Sequence, residues 1–205
     1  MTRELSETAE KAEVTGAAVA CRAMRADARR NYDKLVAAAR EVFAAEGGEA
    51  SMDAVAKKAG VGVGTLYRHF SKRIDLVQAV YQDDVEELVQ TAQRAVADLE
   101  PWPAVEAFLE AFVRYARSKR TLLNELREAF DKDPSLKSRL RERIEEATQL
   151  VIGRAQRAGA VRTDVEAGDV MQLLGPMCTS PTLTDEQSVR LLPMILDGLR
   201  AGQSA

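Results

Sequence analysis

The 205-residue sequence has one histidine, two cysteines and one tryptophan, and aromatic residues make up only 5% of it. A lone histidine, His69, rules out paired imidazole catalysis and argues against a histidine-based metal site. Cys21 and Cys178 stand far apart, with no CxxC between them, so there is no disulfide framework and no zinc spacing. That usage suits a reducing compartment, and the expected location is the cytoplasm. Six prolines and twelve glycines are too few for a long disordered or all-β chain. No apolar run is long enough to span a bilayer, and the acidic start Met-Thr-Arg-Glu-Leu-Ser-Glu has no signal-peptide core. No nucleophile–base pair or phosphate-cradling glycine loop is present, so neither an enzyme nor a cofactor is expected.

What the chain does have is helix-forming material. Hydrophobic residues make up 46% and charged residues 30%, rich in Ala, Leu, Val, Arg and Glu. The net charge is −3 but uneven. From Cys21 to Val80 there are 11 Lys and Arg against 7 Asp and Glu; from Tyr81 to Ala205 there are 16 against 21. A cationic front on an anionic back fits a nucleic-acid-contacting head on a body that nucleic acid does not touch.

Residues 1–27 lack a firm apolar stripe and read as an N-terminal arm. Arg22, Arg25, Arg29 and Arg30 at its end suit either a solvated tail or a basic arm on DNA. Residues 28–80 read as a three-helix head. Tyr32, Leu35, Val36, Ala39 and Phe43 line one face of a first helix, which Gly47-Gly48 ends. Ser51 caps a short second helix carrying Met52, Val55, Ala56 and Ala59. After Gly60, a third helix spans Gly62 to Phe70. A long helix from Lys72 to Leu99 joins this head to residues 81–205, read as a helical regulatory and dimerisation domain. Pro101-Trp102-Pro103 breaks the long helix. Further periodic stripes predict helices near 105–116, 122–130, 136–151, 167–179 and 185–200, with Pro193 kinking or breaking the last. No period-2 strand stands out, so the predicted class is all-α.

Residues 51–70 carry the functional signal. Two helices crossing steeply with almost no linker need small residues where they touch, here Ala56 and Ala59, and glycine in the turn, here Gly60. Val61 plugs the space between them. The second helix starts with Gly62, Val63, Gly64 and Thr65, short residues that let its backbone enter a major groove. Val63 and Thr65 are the candidates for base-edge contact. Tyr67, His69, Lys72 and Arg73 are placed for phosphates, and Lys57 and Lys58 suit phosphate or solvent equally. The expected DNA-binding set is therefore Ser51, Gly62, Val63, Gly64, Thr65, Tyr67, His69, Lys72 and Arg73.

The stretch Ala-Gly-Val-Gly-Val-Gly-Thr-Leu-Tyr-Arg-His-Phe, preceded by Ala-Arg-Glu-Val-Phe in the first helix, resembles the tetracycline-repressor (TetR) family of bacterial regulators across about Arg30 to Leu88. Gly62 stands where the family often has a serine cap. Ser71-Lys72-Arg73 puts Arg73 at the family's lysine, with Lys72 an added cation. The resemblance implies an all-helical homodimer of about nine helices per subunit. It also implies a roughly palindromic double-stranded DNA operator and a small-molecule effector that releases DNA. For that effector, Trp102, Phe108, Phe112, Tyr115, Phe130, Met171, Met177 and Cys178 suggest an apolar pocket, although core packing accounts for most of them as well. The closing helix from Val189 to Arg200 resembles the family's dimerisation helix. Its stripe of Val189, Leu192, Ile195, Leu196 and Leu199 is the expected interface.

Overall fold

A computed structural model describes residues 26–180 and 182–202, apart from the side chain of Cys178. The expectations for residues 1–25, Cys178 and Pro181 lie outside the described side chains. Among the described residues the chain forms nine α-helices and no strand beyond one isolated bridge, Val161 to Arg200.

The first helix, α1, spans 26–46 and buries Leu35, Val36, Ala39, Val42 and Phe43. It ends at Gly47, whose φ of +59° opens a one-turn 3-10 segment, Gly47–Glu49. Helix α2 (Met52–Ala59) starts where Ser51 Oγ accepts the Ala54 N–H at 3.1 Å. Gly60, at φ +68°, stops it in the left-handed region that favours glycine. Three residues later α3 (Val63–His69) begins, capped by the extended Gly62.

Helix α4 (Arg73–Asp98) runs unbroken across the expected head–body boundary near residue 80. The Asp75 carboxylate fixes its start by accepting from the Lys72 N–H and from Ser71 Oγ, each at 2.9 Å. The proline pair after Leu99 starts the next helix: Pro101 opens α5 (Pro101–Thr121), where a missing N–H costs nothing. Helix α6 (Leu123–Lys132) follows at once, and α7 (Pro134–Arg157) is capped by Asp133. Helices α8 (Ala167–Thr179) and α9 (Asp185–Leu199) complete the body. Both carry an internal proline, Pro176 and Pro193, yet neither helix is interrupted.

A single continuous core links head and body. It runs from Leu35, Phe43 and Leu66 through Leu76 and Val80 to Phe108, Phe112 and Leu126, and on to Ile152 and Leu174.

Candidate nucleic-acid interface and effector region

The recognition helix sorts its residues cleanly. Leu66 and the following Phe70 are buried and hold α3 to the head. Val63, Gly64, Tyr67 and Arg68 are exposed on the opposite face, with Tyr67 48% accessible. Gly64 leaves open space where a Cβ would project, and at Gly62 only Thr65 Oγ1 comes as near as 4.0 Å, so the backbone at the start of α3 is free to approach a surface closely. Thr65 is half-buried. Arg68 was missed in the sequence reading, which stressed the short residues at the start of the helix. Its signal was its spacing: one turn beyond Gly64, it shares the exposed face.

His69 is also half-buried, with its ring 6.2 Å from that of Tyr32 and 6.3 Å from that of Phe70. It joins α1 to the end of α3 in a shallow cleft lined by Ala28, Arg29, Tyr32 and Asp33. Lys72, three residues further on, is exposed. Ser51 is engaged as the α2 cap. Of the two ambivalent lysines, Lys58 pairs with Glu41 at 2.7 Å, while Lys57 is exposed.

Arg73 is engaged within the chain. Its guanidinium turns inward, donating to the carbonyl of Ala50 and, at 3.4 Å, to that of Gly47. It lies 4.7 Å from the Phe43 ring centre and pairs with Glu125 of α6 at 3.2 Å. A cation already offset by a carboxylate and packed on an aromatic face is poorly placed to neutralise a phosphate.

The expected effector pocket is dispersed. Tyr115 and Phe112 meet with ring centres 5.5 Å apart. Tyr81 joins them through a 2.7 Å bond between its phenol and that of Tyr115, and Phe130 packs edge-on against Tyr81. Lys119 Nζ lies 5.6 Å and 5.9 Å from the rings of Tyr81 and Tyr115. Phe108, Phe112 and Met177 are fully packed in the core, and Met171 receives the Thr148 hydroxyl at 3.3 Å. Trp102 sits apart at the start of α5, under the Arg200 guanidinium and bonded through Nε1 to Glu106. Next to this aromatic group, Tyr115 shares a cleft of about 180 Å³ with Arg40, Asp84, Glu87, Arg114 and Ser118.

The expected α9 stripe divides between the subunit core and its edge. Ile195 and Leu199 are buried within the subunit, and Leu192 and Leu196 pack against its core. The apolar side chains that face outward are Met194, 69% exposed, Val189, 58%, and Leu191 on α9, with Leu173 of α8, 55%. Leu173, Leu191 and Met194 rim a groove between the two helices, floored by Val170, Ile195 and Leu199, while Val189 lines a neighbouring depression on α9 with Leu191 and Met194.

A helix-turn-helix head with a cleared recognition face, carried on an all-helical body, defines a DNA-binding transcriptional regulator. Residues 35–80 match the family described as bacterial regulatory proteins, tetR family. Residues 100–201 match the C-terminal domain described as transcriptional regulator SbtR-like. A TetR transcriptional regulator from Streptomyces coelicolor is 35% identical, with a TM-score of 0.73 over 85% of this chain and 99% of that one. A TetR transcription regulatory protein from Mycobacterium vanbaalenii is 34% identical, with a TM-score of 0.69 over 86% and 99%. An HTH-type transcriptional regulator of Staphylococcus aureus (strain USA300) is 44% identical over 64 residues, 31% of this chain and about a third (35%) of that relative's length. The chain belongs to the TetR family of transcriptional regulators.

Among the described residues no helix is long and apolar enough to cross a membrane, and no group of three potential metal ligands occurs.

Proposed function

We propose that this regulator is a cytoplasmic homodimeric repressor that binds a two-fold DNA operator and lets go when a small molecule enters its body. The observation that carries the DNA half is the exposed face of α3, where Val63, Gly64, Tyr67 and Arg68 project from a helix pinned by Leu66 and Phe70. In this reading Val63, Thr65 and Arg68 meet base edges, while Tyr67, His69 and Lys72 meet phosphates. The outward row of Leu173, Val189, Leu191 and Met194 supports self-association, because so much clustered apolar exposure costs solvation until a second copy covers it. Two recognition helices then need a separation of roughly 34–36 Å to enter successive major grooves. A ligand that shifts α4 changes that separation and the affinity with it.

The test is binding of the purified chain to the DNA upstream of its own gene, with a salt titration. Tight, steeply salt-dependent binding to a two-fold sequence supports the reading, and no shift of that DNA removes it. Compounds that both raise the melting temperature and release the DNA then establish the effector half.

A second reading, a regulator that works without an effector, is favoured by one observation. Phe108 and Phe112, at the centre of the expected effector set, are packed solid in the core. Under that reading no compound moves the melting temperature.

A further inference from the structure

We propose that Arg73 is a positioning residue: a guanidinium latch between head and body that fixes the angle of the recognition helix, not a contact to DNA. The proposal rests on the DNA-binding reading of α3.

The guanidinium offers five N–H donors in a rigid plane, and here they reach two separate pieces of the molecule while its face packs on a third. Ala50 and Gly47 present carbonyls from the link between α1 and α2. Gly47 can turn its carbonyl this way because its φ is +59°, and a side chain at that position would strain the turn. Glu125 presents a carboxylate from α6, in the body. Phe43 of α1 supplies an aromatic face. Arg73 is the first residue of α4, so the junction fastens the start of the connecting helix to both neighbours at once. Its side chain is 26% exposed and that of Glu125 is 23%, so water screens the pair only partly.

The body end of the latch is itself anchored. Thr121, at the end of α5, lies beside Gly47, 3.9 Å from where a Cβ there would sit. One residue earlier, Arg120 donates to the Met177 carbonyl of α8, to Ser188 Oγ at 3.3 Å and to Asp185 of α9 at 2.6 Å. The α5–α6 corner therefore holds the head on one side and the α8–α9 pair on the other. A shift of α6 then acts through Glu125 and Arg73 on the start of α4 and on the α1–α2 link, the two segments that flank α2 and α3.

The probe is a pool of randomised duplexes, from which wild-type chain and variants select binders; the enriched half-site spacing, the affinity and its salt dependence are then read. Arg73→Gln and Glu125→Gln are each expected to weaken binding to the wild-type consensus duplex about fivefold or more, and to broaden the spacing they accept. Their double variant should be no worse than the weaker single one. Arg73→Gln should leave the salt slope unchanged, and Arg73→Lys should not rescue, because an ammonium cannot bridge two carbonyls and a carboxylate in one plane. Glu128→Gln, on the same helix but paired only with Lys132, serves as the control.

Loss of about one unit from the salt slope in Arg73→Gln, with spacing unchanged and rescue by lysine, assigns Arg73 to a phosphate and overturns the latch. Unchanged affinity and spacing in Glu125→Gln also overturns it. If Arg73→Gln does not fold, Glu125→Gln decides alone, because it leaves the bonds to the head intact. A wild-type chain that enriches no duplex ends the DNA-binding reading, and the latch falls with it.

Discussion

Arg40 of α1 inserts its Nε 2.7 Å from Oδ1 of Asp84, a buried carboxylate on α4. The same guanidinium reaches Asp83 at 2.6 Å and Glu87 at 2.8 Å, and Ser118 of α5 donates to the other Asp84 oxygen. Three helices thus meet at one cation. Burial pushes the Asp84 carboxyl above the ordinary carboxylate range, and the Ser118 and Arg40 contacts pull it back only in part. Between the ordinary value and the raised one, the folded chain binds more protons than the unfolded chain. This group's contribution to stability is therefore greatest in acid and falls as pH rises through that window. Asp84→Asn should remove the fall: compared with wild type, the variant gains stability in urea titrations as pH rises above the ordinary carboxylate range. A gap between the two proteins that does not change with pH disproves the assignment.

Removing the cation has the opposite effect. Arg40→Met leaves Asp84 charged and buried without a counter-ion and leaves two exposed acids beside it. The expected loss is about 1–3 kcal/mol at neutral pH, less than for a fully buried pair because Arg40 is about a third exposed. Chemical denaturation at pH 7 measures it, and the loss should shrink in acid as Asp84 protonates.

Ser51 was expected near DNA, but its hydroxyl has a structural task that can be tested first. Ser51→Ala removes the acceptor for the Ala54 N–H and should cost about 1 kcal/mol of stability. Ser51→Asp restores an acceptor and should recover most of it. A Ser51→Ala variant with unchanged stability but weakened operator binding would move the hydroxyl from the cap to a phosphate.

The helices were legible from the sequence because their buried faces repeat strictly. Leu35, Val36, Ala39 and Phe43 leave no other period, and Gly60 and Pro101 mark ends that physics enforces. Directions were less legible. Arg73 sits next to the recognition helix in sequence, but its rotamer is set by carbonyls 23 and 26 residues away and by Glu125 52 residues away, and no local pattern encodes those. In α9 almost every position from Leu191 to Leu196 is apolar, so periodicity cannot say which side meets the core. Packing against α5 resolves it, sending Ile195 and Leu199 inward and Met194 outward. The Tyr81–Tyr115 pair was half-seen, because Tyr81 falls on α4, outside the aromatic set drawn from α5 to α8.

Arg68 and Lys72 should separate by the kind of binding they supply. Arg68→Ala removes a planar donor pair from the exposed face of α3. The expected cost is about tenfold to a hundredfold on the preferred duplex, with little effect on random DNA. Lys72→Ala should weaken both to a similar degree and reduce the salt slope by about one. Competition assays with specific and random duplexes at several salt concentrations distinguish them. Equal losses on both duplexes for Arg68→Ala would make it a phosphate contact.

The outward face of α8 and α9 gives the last test. Met194→Asp introduces a charge on the most exposed apolar side chain of α9 without touching the buried Ile195 and Leu199. A folded monomer is expected, with unchanged helical content, half the wild-type mass by sedimentation, and operator affinity reduced by orders of magnitude because the second half-site is no longer tethered. Ile195→Asp should instead unfold the subunit, since it buries an unpaired charge. If Met194→Asp sediments with wild-type mass and binds normally, the exposed row on α9 is not the surface that joins two copies.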